Sequence, residues 1–374
     1  MKDKNIIKKL YIVLFVLVFI LPAPLYYAMK RYIDTHNYEN RIIPQFPALT
    51  AENYSSYPAS VENYLKDMLP FKNQMAKING IIDYRVFKDT LSHDVVIGKG
   101  GWLFYTGKQD IVEDPISDYT GINLFTGEEL DTIADNLKKA DELMQQRGGR
   151  FMLVLSPSKM SIYPDMLPAR YGESAEYKRI EQLYDYLSQN TDICIVNAYE
   201  ELREYRASHP EQIIFLKYDT HENYAGSYIS AQAILKSLGY ESLPDLSTLT
   251  LKDNEEPEAD LANILGIKSS VNDPNNLIAG GYEKHENEFW MNATETELRY
   301  TNSNGEAGYG KLMMISDSFG EGMLPFLADY HNESYMVYPR TFKGEMIDKE
   351  APDVLIYQVT ERLLENLLKF DINK

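Results

Sequence analysis

The sequence predicts an α/β domain with a mainly parallel central sheet flanked by helices, preceded by an N-terminal transmembrane helix. Three observations lead there. From residue 126 onward, short continuous apolar runs alternate with segments of helical periodicity, the pattern of a parallel sheet covered on both faces. Residues 10–29 form an uncharged apolar stretch with basic residues on either side, and about 20 residues is the length of a bilayer span. The 374 residues are 44% apolar and 25% charged, which suits one large domain or two ordinary ones and excludes a disordered chain or a multispan membrane protein.

The N-terminus comes first. Lys2, Lys4, Lys8, Lys9, Lys30 and Arg31 against Asp3 give residues 1–31 a charge of +5; the chain totals −19, so the remainder carries −24. Lysines ahead of the span predict a cytoplasmic tail (1–9), an anchor (10–29) and an extracytoplasmic body. A cleaved signal peptide is the rival reading, with residues 10–21 as its apolar region, but no small-x-small site follows Pro22, since Tyr26 stands two places before Ala28. The acidic body lacks the basic footprint of a duplex nucleic-acid binder, so no nucleic-acid partner is expected. One cysteine, Cys194, excludes a thiolate zinc site and an internal disulfide; in its apolar run it reads as a small buried hydrophobe.

Residues 30–92, with Pro44, Pro47, Pro58 and Pro70, read as a membrane-proximal tether bearing short amphipathic helices at 61–68 and 75–86. The main domain, 93–374, opens with a hairpin: strands at 95–98 and 102–105 around Lys99, Gly100 and Gly101. A helix follows at 126–147, where Thr126 and Glu129 have capping-box spacing and Gly148 supplies the stop. Strands are expected at 151–155, 192–197, 311–315 and 354–357, and helices at 176–189, 224–238, from Phe319, and at 361–368. Residues 241–310 are polar and turn-rich, and read as an insertion or a cap over the site.

Two segments carry chemistry. Ser318 follows the buried run at 311–315 and opens a helix, which presents it at the carboxyl edge of the sheet, where open α/β folds bind ligands. A hydroxyl there is a nucleophile candidate, and its amide can stabilise an oxyanion; a plain helix-capping serine is the competing reading. Asp219 and His221, two residues apart before a helix, suit a carboxylate that orients an imidazole base. The other five histidines lie in the tether or at its end (His36, His93) or in polar loop sequence (His209, His285, His331). A metal pair at Asp219 and His221 lacks an obvious third ligand, so no metal and no cofactor is expected. Together the two segments supply nucleophile, base and orienter. Lys159 and Tyr163, after the strand at 151–155, Arg362 after the last strand, and Asn223 beside the histidine segment are the candidate substrate contacts.

Several blocks occur in a telling order: Glu39-Asn40-Arg41 with Phe46-Pro47, Gly98-Lys99-Gly100-Gly101-Trp102-Leu103-Phe104-Tyr105, Pro157-Ser158-Lys159 through Tyr163-Pro164, Asp219-Thr220-His221, Asp260-Leu261-Ala262, Ser316-Asp317-Ser318-Phe319, and Glu361-Arg362. This arrangement resembles the SGNH-hydrolase-like O-acetyltransferases of bacterial exopolysaccharide export, the alginate acetylation proteins J and X and their DHHW relatives. The resemblance implies an SGNH-like fold with Ser318 as nucleophile, His221 as general base and Asp219 as its orienter. It also implies a polysaccharide acceptor, a membrane-bound O-acyltransferase as acetyl donor, and association with a polysaccharide synthase or export complex. Glu222 stands where relatives often carry Trp, which bears on acceptor contacts. Ser316 stands where they carry Gly, and is expected to place a side chain beside the oxyanion site. An acetyl-esterase using the same residues, or a non-catalytic polysaccharide-binding scaffold, are the alternatives. Alginate, cellulose and other secreted glycans all fit, and a body at −24 favours a neutral one.

Overall fold

The computed structural model describes residues 2–33, 45–108, 114–255, 257–280, 286–291, 296–302 and 309–374. The Glu39-Asn40-Arg41 block, His36 and His285 lie outside them. The chain forms two compact units, Met1–Thr90 with Ala262–Val271, and Leu91–Leu261 with Asn272–Lys374.

The first unit contains α1 (Lys2–Ile20), α2 (Pro22–Met29), α3 (Tyr57–Asp67) and α4 (Lys72–Ile82), the last running into a π turn at Asp83–Phe87. The continuous span expected over 10–29 is corrected to a broken one. Among the described residues no single helix is long and apolar enough to cross a membrane; Ile6–Ile20 and Pro22–Met29 meet that test together, bent by 43°. The break has a local cause. Pro22 has no N–H to give the preceding turn and its ring crowds the carbonyl one turn back, while it is well placed at the start of a new helix.

The second unit opens with the expected hairpin, β1 (Val95–Ile97) against β2 (Leu103–Tyr105). After α5 (Pro115–Thr120), α6 (Gly127–Gln146) starts at Thr126 with both halves of the capping box formed; Gly148, at φ 75°, follows its end. Then come β3 (Arg150–Ser156), α7 (Lys159–Ile162), α8 (Arg179–Asn190), β4 (Cys194–Val196), α9 (Ala198–Ser208) and α10 (Tyr224–Ser237). The 241–310 stretch carries β5 (Leu251–Asp253), α11 (Asp260–Ile264), β6 (Leu277–Ala279), β7 (Glu286–Met291) and β8 (Thr296–Thr301). The chain closes with β9 (Tyr309–Ile315), α12 (Phe319–Ala328), β10 (His331–Val337), α13 (Glu345–Glu350), β11 (Val354–Thr360) and a 3-10 segment at Glu361–Lys369.

Seven strands pair in the order β4-β3-β11-β9-β10-β8-β7. The expectation of a mainly parallel sheet is corrected: the sheet is mixed, parallel from β4 to β10 and antiparallel through β8 and β7. The reason is that the stretch read as an insertion supplies the last two strands at one end of the sheet. Its β8 pairs with β10 in the register Met336↔Leu298. β10 was itself hidden in sequence. It opens with His331, which is fully buried rather than in a polar loop, its Nδ1 2.9 Å from the Leu327 carbonyl oxygen. Cys194 is likewise corrected: it is exposed, because β4 is the edge strand of the sheet.

The middle strands are covered on both faces. Leu153, Val154, Leu155, Met313, Met314, Ile315, Leu355 and Ile356 have no exposed surface, and burying a Leu or Ile side chain stabilises by about 1.5–3 kcal/mol. This core fixes where the chemistry can be. β3, β11 and β9 are adjacent and parallel, so Ser156, Thr360 and Ile315 end at one edge, and the segments leaving them carry Lys159, Arg362 and Ser318.

Candidate active site

Ser318 ends a three-residue turn between β9 and α12. The turn is tied to β11 from below: Ser316 Oγ donates to Gln358 Oε1 at 2.5 Å, and the Thr360 amide donates to Asp317 Oδ2 at 2.9 Å. Asp317 Oδ1 also accepts from the Phe319 amide at 3.0 Å. Asp317 thereby serves the first turn of α12, and Ser318, though at the N-cap position, makes no side-chain cap bond. Its hydroxyl is left to face His221. The expectation that Ser316 crowds the oxyanion site is corrected as well, since its side chain is fully buried and turned into the sheet. The compensating position is Gly320, where a Cβ would lie 2.2 Å from Ser316 Oγ.

Asp219 and His221 sit on a turn closed by an antiparallel bridge between Phe215 and Glu222, just ahead of α10. The Asp219 carboxylate takes three N–H groups: His221 Nδ1 at 2.6 Å, the His221 amide at 3.0 Å, and the Asp260 amide at 2.6 Å. The far side of the ring places Nε2 2.6 Å from Ser318 Oγ. Phe319 packs against the imidazole at 5.3 Å between centroids.

The electrostatics follow from burial and neighbours. Burial by itself would raise Asp219, yet the facing imidazole and the donors around it hold the carboxyl far below its usual range. For His221, burial disfavours the imidazolium, but the charge and hydrogen bond of Asp219, with Asp260 and Glu258 behind, raise it to about 9. Lys159 is brought down to about 8 by burial, against the opposing pull of Asp260, Asp219 and Asp273. Glu222 is pushed up to about 8 by burial and is held by the Ser230 hydroxyl at 3.2 Å. Its side chain lies against α10 and out of solvent.

The four residues expected to contact substrate divide. Lys159 is 5% exposed and its ammonium donates to the carbonyl oxygens of Asp219 (2.5 Å), Leu216 (3.0 Å) and Lys217 (3.4 Å). Tyr163 is buried, stacked on Trp102 at 4.5 Å, and its hydroxyl accepts from the Ile214 amide at 3.1 Å. Asn223 caps α10 through the amides of Ala225 and Gly226 and donates to the Ile213 carbonyl. These three are corrected to internal supports, because their polar atoms are consumed by backbone groups. Arg362 differs. It is half-buried, its guanidinium lies near the Tyr105 and Phe319 rings, and it lines a small cleft with Tyr105, Ser158, Thr220 and the stem of Lys159. In that cleft Ser158 Oγ is buried with no hydrogen-bond partner among the described residues.

Sequence reasoning passed over three neighbours. Asp260 gives its amide to the Asp219 carboxylate at 2.6 Å. Glu258 brings a third carboxylate to the histidine, so that ligand atoms of Asp219, His221 and Glu258 lie within 4.8 Å of one another. A cation there would have to take Nδ1 from Asp219 or Nε2 from Ser318, since both ring nitrogens are engaged. Tyr338, following β10, donates to Glu321 at 2.7 Å and faces the Ser318 hydroxyl. Nothing in the local sequence marks it.

Residues 95–277 match the family model described as the SGNH hydrolase-like domain of the acetyltransferase AlgX, a stretch that includes Asp219 and His221 and ends before Ser318. Among solved structures, the chain is similar to Bacillus cereus PatB1, determined with a sulfonyl adduct, at TM-score 0.55 and 13% identity, covering 74% of this chain and 98% of that one. A DHHW family protein from Eubacterium siraeum gives TM-score 0.50 and 16% identity over 75% and 99%. The O-acetyltransferase domain of Pseudomonas putida AlgJ gives 0.42 and 16% over 72% and 92%. For PatB1 and the DHHW family protein the likeness, at these identities, is one of fold. No curated protein matches the chain in sequence. The SGNH-like resemblance read from the blocks is thus borne out.

Proposed function

We propose that this protein is a membrane-anchored, extracytoplasmic O-acetyltransferase that moves acetyl groups onto hydroxyls of an exported polysaccharide through an acetyl-Ser318 intermediate. The observation that carries the reading is the unbroken line from Asp219 through His221 to Ser318, 2.6 Å on either side of the ring. In this reading Ser318 Oγ attacks the acetyl carbonyl of the donor while its proton passes to His221 Nε2. The tetrahedral oxyanion forms beside the Ser318 amide at the start of α12, because the next amides, of Phe319, Gly320 and Glu321, are taken by oxygens of Asp317 and Ser318. His221 returns the proton to the leaving group, and acetyl stays on Ser318. A sugar hydroxyl then attacks, gives its proton to His221, and leaves as the acetyl ester as Ser318 is reprotonated. Asp219 holds the ring and stabilises the imidazolium.

Arg362, Ser158 and Tyr105 are the groups of the cleft placed to meet a substrate. Residues 1–9 would lie in the cytoplasm, 10–29 in the bilayer and 30–92 between membrane and the catalytic region at 93–374. The charge of +5 over residues 1–31 and the exposed Leu10, Phe15 and Phe19 of α1 support that placement. An anchored enzyme is positioned to take acetyl from a membrane-bound O-acyltransferase while a polymer leaves its synthase.

The test uses full-length protein in detergent, as wild type and Ser318→Ala, with an activated acetyl ester and neutral oligosaccharides. Mass spectrometry follows both protein and sugar. Acetyl on Ser318 and then on sugar, both lost in Ser318→Ala, supports transfer. Free acetate regardless of acceptor points to an esterase, and identical behaviour of the two proteins leaves a scaffold.

A further inference from the structure

Three sequence blocks have no part in the relay: the Trp102 hairpin, the Lys159 segment and the Asp260 segment. They meet on the Asp219-Thr220-His221 turn. That turn is buried, with Asp219 2% and Thr220 7% exposed, so its backbone groups need protein partners. The carbonyl groups go to a cation: Lys159 Nζ reaches the oxygens of Leu216, Lys217 and Asp219. The amides go to carboxylates: Asp260 Oδ1 accepts from the Thr220 amide at 2.9 Å, and Asp273 Oδ2 from the Lys217 amide at 2.6 Å. Asp260 Oδ2 adds the Thr220 hydroxyl at 2.6 Å, while the Asp260 amide holds the outer oxygen of Asp219. The hairpin closes the arrangement. The Leu103 amide donates to the Lys217 carbonyl at 3.0 Å, and Phe104 and Trp102 cover the Lys159 ammonium at 5.3 and 5.7 Å.

We infer that Lys159 and Asp260 are positioning residues that clamp this turn by its carbonyl side and its amide side, and so hold His221 Nε2 on the Ser318 hydroxyl. The inference rests on the acyl-transfer reading of Ser318. A surface turn of this length would satisfy its polar groups with water and move; here fixed charges replace the water. A displacement of about 1 Å at a base can cost roughly a hundredfold in rate, which is why a turn that carries the base is held at both sides.

The charged groups around His221 set the accompanying pH effect. They are Asp219 and Glu222 on its own segment, Lys159 at the start of α7, Glu258 and Asp260, and Asp317 and Glu321 on the nucleophile turn and α12. Asp260 raises His221, so neutralising Asp260 lowers it.

Full-length protein in detergent is treated with phenylmethanesulfonyl fluoride from pH 6 to 10, and sulfonylation of Ser318 is timed by mass spectrometry. Wild type, Asp260→Asn, Lys159→Met and Thr220→Val are compared, with Ser318→Ala as the blank. Melting temperatures are recorded alongside. The clamp predicts that Lys159→Met and Asp260→Asn lose at least about tenfold in limiting rate. It further predicts that Asp260→Asn moves the pH midpoint downward, and that Thr220→Val, lacking only the hydroxyl to Asp260, loses less. Folded variants with the wild-type rate and midpoint overturn it. So does a rate loss that follows melting temperature with the midpoint unmoved. If Lys159→Met does not fold, Asp260→Asn and Thr220→Val decide the matter. Failure of wild type itself to label at Ser318 instead sinks the acyl-transfer reading, a result distinct from either.

Discussion

Replacing Asp219 by Asn tests the relay at the group on which most donors converge. Oδ1 accepts both the imidazole Nδ1–H and the His221 amide, and Oδ2 accepts the Asp260 amide. An asparagine has one oxygen to offer. If that oxygen faces His221, the new NH₂ points at the Asp260 amide across what was a 2.6 Å hydrogen bond, donor against donor. If the amide flips, NH₂ faces Nδ1 and selects the tautomer with the proton on Nε2, which cannot accept the Ser318 proton. Either arrangement also removes the charge that stabilises the imidazolium. A loss of about 10⁴ in rate is expected for a carboxylate-to-amide change in this role, equivalent to about 5 kcal/mol at roughly 1.4 kcal/mol per decade. The assay is acetate release from p-nitrophenyl acetate together with sulfonylation of Ser318. Melting should show the variant folded, because the side chain's shape and most of its contacts survive. A folded Asp219→Asn protein within tenfold of wild type would refute the relay.

Four further outcomes are expected. Acylation of Ser318 needs a neutral His221, and the ring is held at about 9, so the rate should climb with pH through a midpoint near 9; a midpoint below 7 would contradict the surroundings described for the ring. The same shift has a stability counterpart: a histidine raised above its unfolded value near 6.5 stabilises fully below that pH, and the contribution is lost as pH rises through about 9. Thermal melts at pH 6.5 and 9.5 should differ in that direction in wild type and less in His221→Gln. Ser316→Gly leaves the fully buried Gln358 without its 2.5 Å partner, which should cost about 1–3 kcal/mol in urea unfolding with little change in Ser318 labelling; undiminished stability would show the bond to be dispensable. Gly320→Ala puts a methyl 2.2 Å from Ser316 Oγ and 2.9 Å from Met336 Sδ, so it should destabilise by about 1–3 kcal/mol and slow labelling by moving the start of α12; a variant as stable and as fast as wild type would refute that account.

What the sequence determined by itself was local. The capping box of Thr126 and Glu129 places a helix through contacts three residues apart, and the buried runs at β3, β9 and β11 place strands through their own apolar length. Ser318, His221 and Asp219 stood out because each sits beside such an element, where turn chemistry is legible. Pairing was beyond its reach. β10 begins His331-Asn332-Glu333, a polar opening that reads as loop until β9 on one side and β8 on the other use its backbone. The outer strands β8 and β7 were hidden for the same reason, and with them the mixed sheet. Lys159, Tyr163 and Asn223 show the limit most clearly. A polar side chain near a site looks the same in sequence whether it meets a ligand or a carbonyl of its own chain. Only the tertiary structure, by bringing residues 40 to 60 positions apart to hydrogen-bonding distance, decides which. Burial settles the choice, because a polar backbone turn taken out of water must be answered by groups from elsewhere in the chain.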